Sequence, residues 1–313
     1  MKVLHVDPAL EWRGGQAQLA ALLRARPGDG WAGAPRGELA RRVRPPDVPL
    51  RPNSDLRNLP LLRAGAAAYD LVAVHSSHAH TASLGVSVPV VVHRRNHRPP
   101  TNVWRYRRAA STVAVSAFVA GLCRAAGVPR VSVVYDGADA PAPLPRPDTA
   151  IPEYLVPAAL VAHKGQAALL DAFVGMPGEL VFAGDGPLRP SLEARAARLG
   201  VRARFLGAVD DLEPWFARAH AVVLPSREEA AGSVLIEAMA RGVPVVASEV
   251  GGIPELLGDV GHPVPLDDLG AWQHALRLAL DDDRLRIQAY ARRFSVAAMV
   301  AGTEAVYAEA LAR

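Results

Sequence analysis

The stretch Pro225-Ser-Arg-Glu-Glu-Ala-Ala-Gly-Ser-Val-Leu-Ile-Glu-Ala-Met-Ala-Arg-Gly-Val-Pro-Val-Val-Ala-Ser-Glu-Val-Gly-Gly-Ile-Pro-Glu255 follows a short apolar run, Ala221 to Leu224. Together they read as strand, loop, helix, strand, turn and helix start, the repeat unit of a parallel α/β sheet. Ser233 fits the N-cap of the helix Val234 to Arg241, so Gly232, Ser233 and Val234 would present free backbone N–H groups to an anion. Glu229 falls in the loop before that helix and Glu237 one turn inside it. The two carboxylates are eight positions apart, so they reach different parts of one ligand and do not form a close acid/base pair.

The same alternation extends outward in both directions. Tyr154–Val161, Leu180–Ala183, Ala203–Leu206 and Pro244–Ala247 read as further strands, with helices expected over Gly165–Phe173, Leu188–Leu199 and Leu212–Ala219. In the first half, Val3–Val6, Asp70–His75, Val88–His93, Ser111–Val115 and Val131–Val134 read as strands. A helix through Leu19, Leu22 and Leu23 follows Gly14-Gly15. Residues 27–60, rich in Pro, Gly and Arg, read as loops and short elements. The proline-rich segment Ala140–Pro147 reads as an interdomain linker, and 276–313 is helical in pattern. The expectation is an α/β protein with domains 1–147 and 148–285 and a terminal helical segment, 286–313, that crosses back through Phe294, Val300 and Tyr307.

Composition narrows the classes. A chain of 313 residues, 50% hydrophobic and 21% charged, is long enough for two cores and unlike disordered or collagenous chains. One cysteine, Cys123, excludes a disulfide scaffold. The net charge of +4 hides a division: residues 1–150 carry 20 basic and 10 acidic side chains, residues 151–313 carry 15 and 21. Of 35 basic residues, only Lys2 and Lys164 are lysines, so Lys164 is either a place where a compact ammonium is wanted or a lysine retained by chance. No signal peptide or membrane span is read, so the expected location is cytoplasmic, with peripheral attachment at the inner face of an anionic membrane through the basic half. No nucleic-acid recognition motif appears, and no nucleic-acid partner is expected.

The segment 225–255 resembles the retaining glycosyltransferases of family 4, which have the GT-B fold of two Rossmann-like domains facing each other across a cleft. The resemblance rests on Glu229 and Glu237 with seven residues between them, on Pro225-Ser226, on Ala238-Met239-Ala240 and on Gly251-Gly252. It continues in Ala183-Gly-Asp-Gly-Pro187, Phe205-Leu-Gly207, His163-Lys-Gly165, Val134-Tyr-Asp-Gly-Ala-Asp139 and the Gly14-Gly15 loop. It implies a C-terminal domain that binds a nucleotide-diphosphate sugar and an N-terminal domain that binds the acceptor. Glu237 would hold the ribose hydroxyls and Glu229 a hydroxyl of the transferred sugar. Lys164 and the backbone at Gly232, Ser233 and Val234 would hold the diphosphate, approached also by Gly14 and Gly15. The reaction it implies is a retaining transfer that needs no metal and no cofactor, with the nucleotide sugar as substrate and the departing diphosphate taking the acceptor proton.

On the acceptor side the resemblance implies a histidine near the sugar. His93 is the first choice and His97 the second, against a histidine that merely ends a strand. Arg94, Arg95, Arg98, Arg105, Arg107 and Arg108 give an electropositive entrance for an anionic or lipid-linked acceptor of envelope or exopolysaccharide synthesis, or else a solvated arginine face. His75, His78 and His80 have spacings that suit zinc or plain loop histidines. The sequence departs from the family pattern at Ala159, five positions before Lys164, where an arginine usually shares the diphosphate, and at Ala230, which follows Glu229 in place of glycine. The departure at 159 implies weaker donor binding or an arginine elsewhere in its place, for which Arg13, beside the glycine loop, is the candidate. These departures keep open a binding or scaffolding protein of the same fold with little transferase activity.

Overall fold

The computed structural model describes residues 1–313 and shows two compact units, Met1–Gly137 with Val296–Arg313, and Ala138–Ser295. Both boundaries differ from the expected ones at 147 and 285. The proline-rich segment is not a free linker, because the second unit binds its backbone: Leu144 N–H donates to the Arg241 carbonyl at 3.0 Å, and Gln288 Nε2 donates to the Pro141 carbonyl at 2.7 Å. At the other end the helix Arg284–Ala291 and the turn Arg292–Phe294 stay with the second unit. Phe294 packs against Tyr290 there, with ring centroids 6.0 Å apart, so only the helix Val296–Leu311 joins the first unit.

In the first unit the strands are β1 Val3–Asp7, β2 Gly30–Gly33, β3 Val48–Pro49, β4 Leu71–Val74, β5 Val90–Arg94, β6 Ser111–Ala114 and β7 Val131–Val133. They form one parallel sheet in the order β3-β2-β1-β4-β5-β6-β7. The second unit contains β8 Glu153–Val156, β9 Glu179–Ala183, β10 Ala203–Gly207, β11 Ala221–Leu224, β12 Val245–Ser248 and β13 His262–Val264, ordered β10-β9-β8-β11-β12-β13. Each sheet therefore starts at a middle strand, winds outward, then jumps back across it. That is the doubly wound Rossmann pattern, in which ligands bind at the carboxyl ends of the strands where the winding reverses.

Why these runs become central strands is plain from their chemistry. β4, β6, β11 and β12 are buried at every position, as strands covered by helices on both faces must be. The core of the first unit packs Val3, Leu71, Val91 and Val113 against Met299 and Tyr307 of the helix Val296–Leu311. In the second, Tyr154, Leu180, Phe182 and Val223 pack with Trp272. β2 is one of the short elements in the stretch 27–60 that was expected to hold loops and short elements. Its glycines are needed there: a Cβ on Gly30 would meet the Tyr69 hydroxyl at 2.0 Å, and one on Gly33 the Asp7 carbonyl at 2.6 Å. No helix of the chain is long and apolar enough to cross a membrane.

Candidate active site

In the second unit the winding reverses between β8 and β11, and the two loops leaving those strands meet. The first carries His163, Lys164 and Gly165; the second carries Pro225, Ser226, Arg227 and Glu229. Lys164 Nζ donates to Glu229 Oε2 at 2.6 Å, and Ser226 Oγ donates to the same oxygen at 3.2 Å. The backbone ties the loops as well, with Arg227 N–H donating to the His163 carbonyl at 2.8 Å.

Two glycines make this approach possible. Gly165 has φ +69°, and a Cβ there would sit 1.9 Å from the Pro225 carbonyl oxygen. Gly251 has φ +58°, and a Cβ there would sit 1.8 Å from the Glu229 carbonyl oxygen. Left-handed backbone and absent side chain are both required. Ala230, by contrast, has no positive φ, so the alanine in place of glycine costs nothing in backbone conformation.

The helix that follows spans Ser233–Ala240, and its N-cap is Gly232 in the left-handed region, φ +94°, not Ser233 as expected. No side chain caps it, so the first N–H groups, at Ser233 and Val234, remain directed outward from the positive end of the helix dipole. Glu237 is half-buried one turn in, and its backbone carbonyl accepts from Arg241 Nη1 at 2.8 Å. Lys164, Glu229, Gly232, Ser233, Val234 and Glu237 thus share one end of one sheet: an ammonium, a helix N-terminus and two carboxylates. The first two suit phosphate, the last two suit hydroxyls. Arg227 was not singled out by its sequence context. It is exposed, its side chain has no hydrogen-bond or ion-pair partner, and it is fixed through its backbone next to Lys164. Ala159, where the family pattern has an arginine, is exposed, and its carbonyl accepts from Gln166 Nε2 and from the Val161 N–H.

The carboxyl ends in the first unit gather a different, buried polar set. Gly14 and Gly15 open the helix Gly14–Ala25 directly after the loop that leaves β1. Arg95 follows β5, lies beside Gly15, and donates through Nη2 to Asp136 Oδ1 at 3.0 Å, with Nη1 3.4 Å from His75 Nδ1. Its charge is therefore matched by a buried carboxylate. Arg94 Nη1 donates to the Tyr106 hydroxyl at 3.1 Å, and His97 is half-buried in the loop beyond. Asp7 is buried at the end of β1, where loss of water raises its pKa against the opposing hydrogen bonds from Gln16 and Ala9.

His93, the first choice for a histidine near the sugar, is buried. Its ring is interior, stacked on His75 at 4.3 Å between centroids, and its Nε2 is 2.7 Å from the Tyr307 hydroxyl. Burial, with Arg95 and His5 nearby, holds it neutral, its pKa well below the ordinary range. The reason is registry: β5 ends one residue later, so His93 points into the layer filled by the terminal helix. His75, His78 and His80 likewise go separate ways. His75 Nε2 is 3.1 Å from His5 Nδ1, His78 Nδ1 is 2.5 Å from Asp55 Oδ1, and His80 packs edge-on against Tyr106. No three His, Cys, Asp or Glu side chains converge on a common metal position.

Residues 152–282 match the family model described as Glycosyl transferases group 1. Over 123 residues the chain is 38% identical to D-rhamnosyltransferase WbpZ of Pseudomonas aeruginosa, covering 37% of this chain and 32% of that one. Over 134 residues it is 39% identical to phosphatidyl-myo-inositol mannosyltransferase of Mycobacterium leprae, covering 40% and 36%. The chain thus spans only about a third of the length of these relatives. HepE of Anabaena, solved with UDP and glucose, superposes with a TM-score of 0.83 at 22% identity, over 98% of this chain and 99% of that one. Sucrose-phosphate synthase of Thermosynechococcus elongatus superposes with a TM-score of 0.75 at 18% identity, over 100% and 99%. The chain accordingly has the GT-B fold, and its segment 152–282 is similar to the group 1 glycosyl transferases.

Proposed function

We propose that the protein is a glycosyltransferase that moves a sugar from a nucleotide-diphosphate sugar to an acceptor, with retention of anomeric configuration and without a metal. The observation that carries this reading is the Lys164–Glu229 pair at the switch point of the second sheet, beside an uncapped helix N-terminus. The diphosphate takes Lys164 and the Ser233 and Val234 N–H groups. Glu229 accepts from a hydroxyl of the transferred sugar, and Glu237 from the ribose. Arg227, exposed and without a partner, supplies the second cation that position 159 lacks.

The chemistry asked of the protein is modest. The bond between the anomeric carbon and the diphosphate oxygen breaks, negative charge grows on the phosphates, and the cations and helix terminus stabilise it where it grows. The acceptor oxygen attacks on the face the diphosphate leaves, and its proton passes to the departing phosphate oxygen. We assign the acceptor to the first unit, with Arg94, Arg95 and His97 near the strand ends. An anionic or lipid-linked acceptor fits the excess of positive charge there.

Calorimetric titration with UDP-, GDP- and ADP-sugars, followed by product analysis with an acceptor panel, tests the reading. Binding of one donor that is lost in Glu237→Ala and Lys164→Ala, with a product of retained configuration, supports it. Donor binding with no hydrolysis or transfer across the panel would replace it with a nucleotide-sugar-binding role.

A further inference from the structure

The first unit contains a cavity of about 400 Å³ at the end of its sheet opposite to Asp7, His75 and Arg95. Its walls come from the amino ends of three neighbouring strands: Val88 to Val90 entering β5, Ala109 and Ala110 entering β6, and Arg130 entering β7. Val90 and Arg94 are the two ends of β5, about 13 Å apart at roughly 3.3 Å per residue. The cavity is thus separate from the strand ends discussed above, and it stands independently of the transfer reading.

Its lining is divided by chemistry. Arg105, Arg108, Arg130 and Arg313 contribute four guanidinium groups, and no acidic side chain lines it. Glu309, just outside, is taken by Arg313 Nη2 at 2.5 Å. Arg108 is exposed and has no partner, and Arg105 Nε is buried without one, although Nη1 donates to Thr81. Arg130 is anchored with unusual care. It is one of two non-glycine residues with positive φ, +52°, and its Nε and Nη2 donate to the Ala110 and Ala109 carbonyls, both at 2.8 Å. Backbone held in that region carries strain that is found mostly where something else needs it. The lining also includes the aliphatic side chains of Leu84, Val86, Val88 and Val90.

Four like charges around one cavity repel one another, and guanidinium groups in this arrangement match the oxygens of a phosphate. The aliphatic part of the lining offers nothing to a bare anion but buries a hydrocarbon well. The size is that of an organic ligand site. We propose that this cavity binds a phosphate ester with an aliphatic stem, its phosphate held by Arg105, Arg108, Arg130 and Arg313 and its stem laid against Leu84, Val86 and Val88. The same chemistry is offered by an anionic lipid and by a soluble alkyl phosphate.

Calorimetry on the full chain with hexyl phosphate, inorganic phosphate and hexanol tests this. Hexyl phosphate is expected to bind one to one, at least tenfold more tightly than either fragment. In the double variant Arg108→Gln with Arg313→Gln, both exposed positions, its affinity falls at least tenfold while the unfolding temperature holds. Co-sedimentation with phosphatidylglycerol vesicles separates the sources. Capture that hexyl phosphate competes and the double variant loses assigns the site to lipid; hexyl phosphate binding without capture assigns it to a soluble ester. Equal affinity in wild type and double variant, equal affinity for inorganic phosphate, or no binding of hexyl phosphate overturns the proposal.

Discussion

Lys164 and Glu229 hold one another across the switch point of the second sheet, Nζ to Oε2 2.6 Å, with both side chains about one-fifth exposed or less. An ammonium so placed is oriented before any ligand arrives, and a diphosphate must compete with the carboxylate for it. Lys164→Ala is expected to weaken UDP binding by one to two powers of ten, since a hydrogen bond to a charged group contributes roughly 1.5 to 3 kcal/mol. Glu229→Gln keeps the shape but removes the competing charge, so UDP binds as well as before or a few-fold better while sugar transfer falls. Titration calorimetry with UDP alone separates the two, and a Glu229→Gln protein that loses UDP binding contradicts the assigned roles.

The glycines that let these loops meet make a sharper test of geometry. Gly165→Ala and Gly251→Ala each add a methyl group where a carbonyl oxygen already lies within 2 Å, at a backbone angle that alanine avoids. Strain of this kind costs about 1 to 3 kcal/mol before the clash is counted. Urea unfolding should show at least that loss for each, with donor binding weakened in parallel. Gly175 also has positive φ, +76°, but open space around it, so Gly175→Ala should cost less than either. Equal costs at the three positions would show that the close approach does not matter.

Much of this was legible in the chain before it was folded, and the exceptions have physical causes. Lys164 and Glu229 are visible because each follows an apolar run by a few residues, and in a doubly wound sheet such loops collect at the strand ends. What the residues do not state is that the two bond each other 65 positions apart. β2 escapes a propensity reading because Gly30 and Gly33 are chosen for close packing against Tyr69 and Asp7, not for strand preference. β13, His262-Pro-Val264, is hidden by a proline that only an edge strand tolerates. For His93, the histidine ending β5 was visible, but its partner Tyr307 lies 214 residues on, in the helix that returns to the first unit.

Arg227 offers a way to ask how the chain manages without an arginine at 159. Being exposed and unpaired, it can be removed with almost no effect on stability. Arg227→Ala is expected to lower donor affinity about tenfold, and Ala159→Arg in that background to restore part of it, since position 159 is exposed. Donor affinities from calorimetry at two salt concentrations check this, because the lost contact is ionic and its effect shrinks as salt rises. An unchanged affinity in Arg227→Ala would mean that Lys164 and the helix terminus suffice.

The buried histidines tie stability to pH. Burial lowers the pKa of His5, His75 and His93, and together with Arg105 pushes His80 down to about 4. In the unfolded chain each protonates near 6.5. A depressed native pKa means that the unfolded state binds more protons, so this stabilisation is complete above pH 6.5 and is lost as pH falls, down to about 4 for His80. Asp29 adds the same sign lower down: burial would raise it, but hydrogen bonds from His5 and Arg26 hold it at about 2, so its share is lost below pH 4. The urea midpoint should therefore drop steeply from pH 6.5 towards 4. His80→Gln should flatten that slope by up to about 1.4 kcal/mol per pH unit, one proton's worth. A profile with the same slope in wild type and variant refutes the assignment.

Tyr307 decides how firmly the terminal helix belongs to the first unit. Its hydroxyl is fully buried, and His93 Nε2 at 2.7 Å is the partner that burial demands. The same helix sends Glu304 to Arg26, whose guanidinium also holds Asp29, so the helix is fixed to the sheet by two polar contacts set in an apolar face. Tyr307→Phe keeps the ring and removes only the hydroxyl, leaving a buried imidazole nitrogen unpaired. The expected cost is about 1 to 3 kcal/mol in unfolding free energy. Because Lys164, Glu229 and Glu237 all lie in the second unit, UDP affinity should be unchanged below the new melting point. Loss of UDP binding at full stability would instead make the His93–Tyr307 contact part of the donor site, and return His93 to the role its position at the end of β5 first implied.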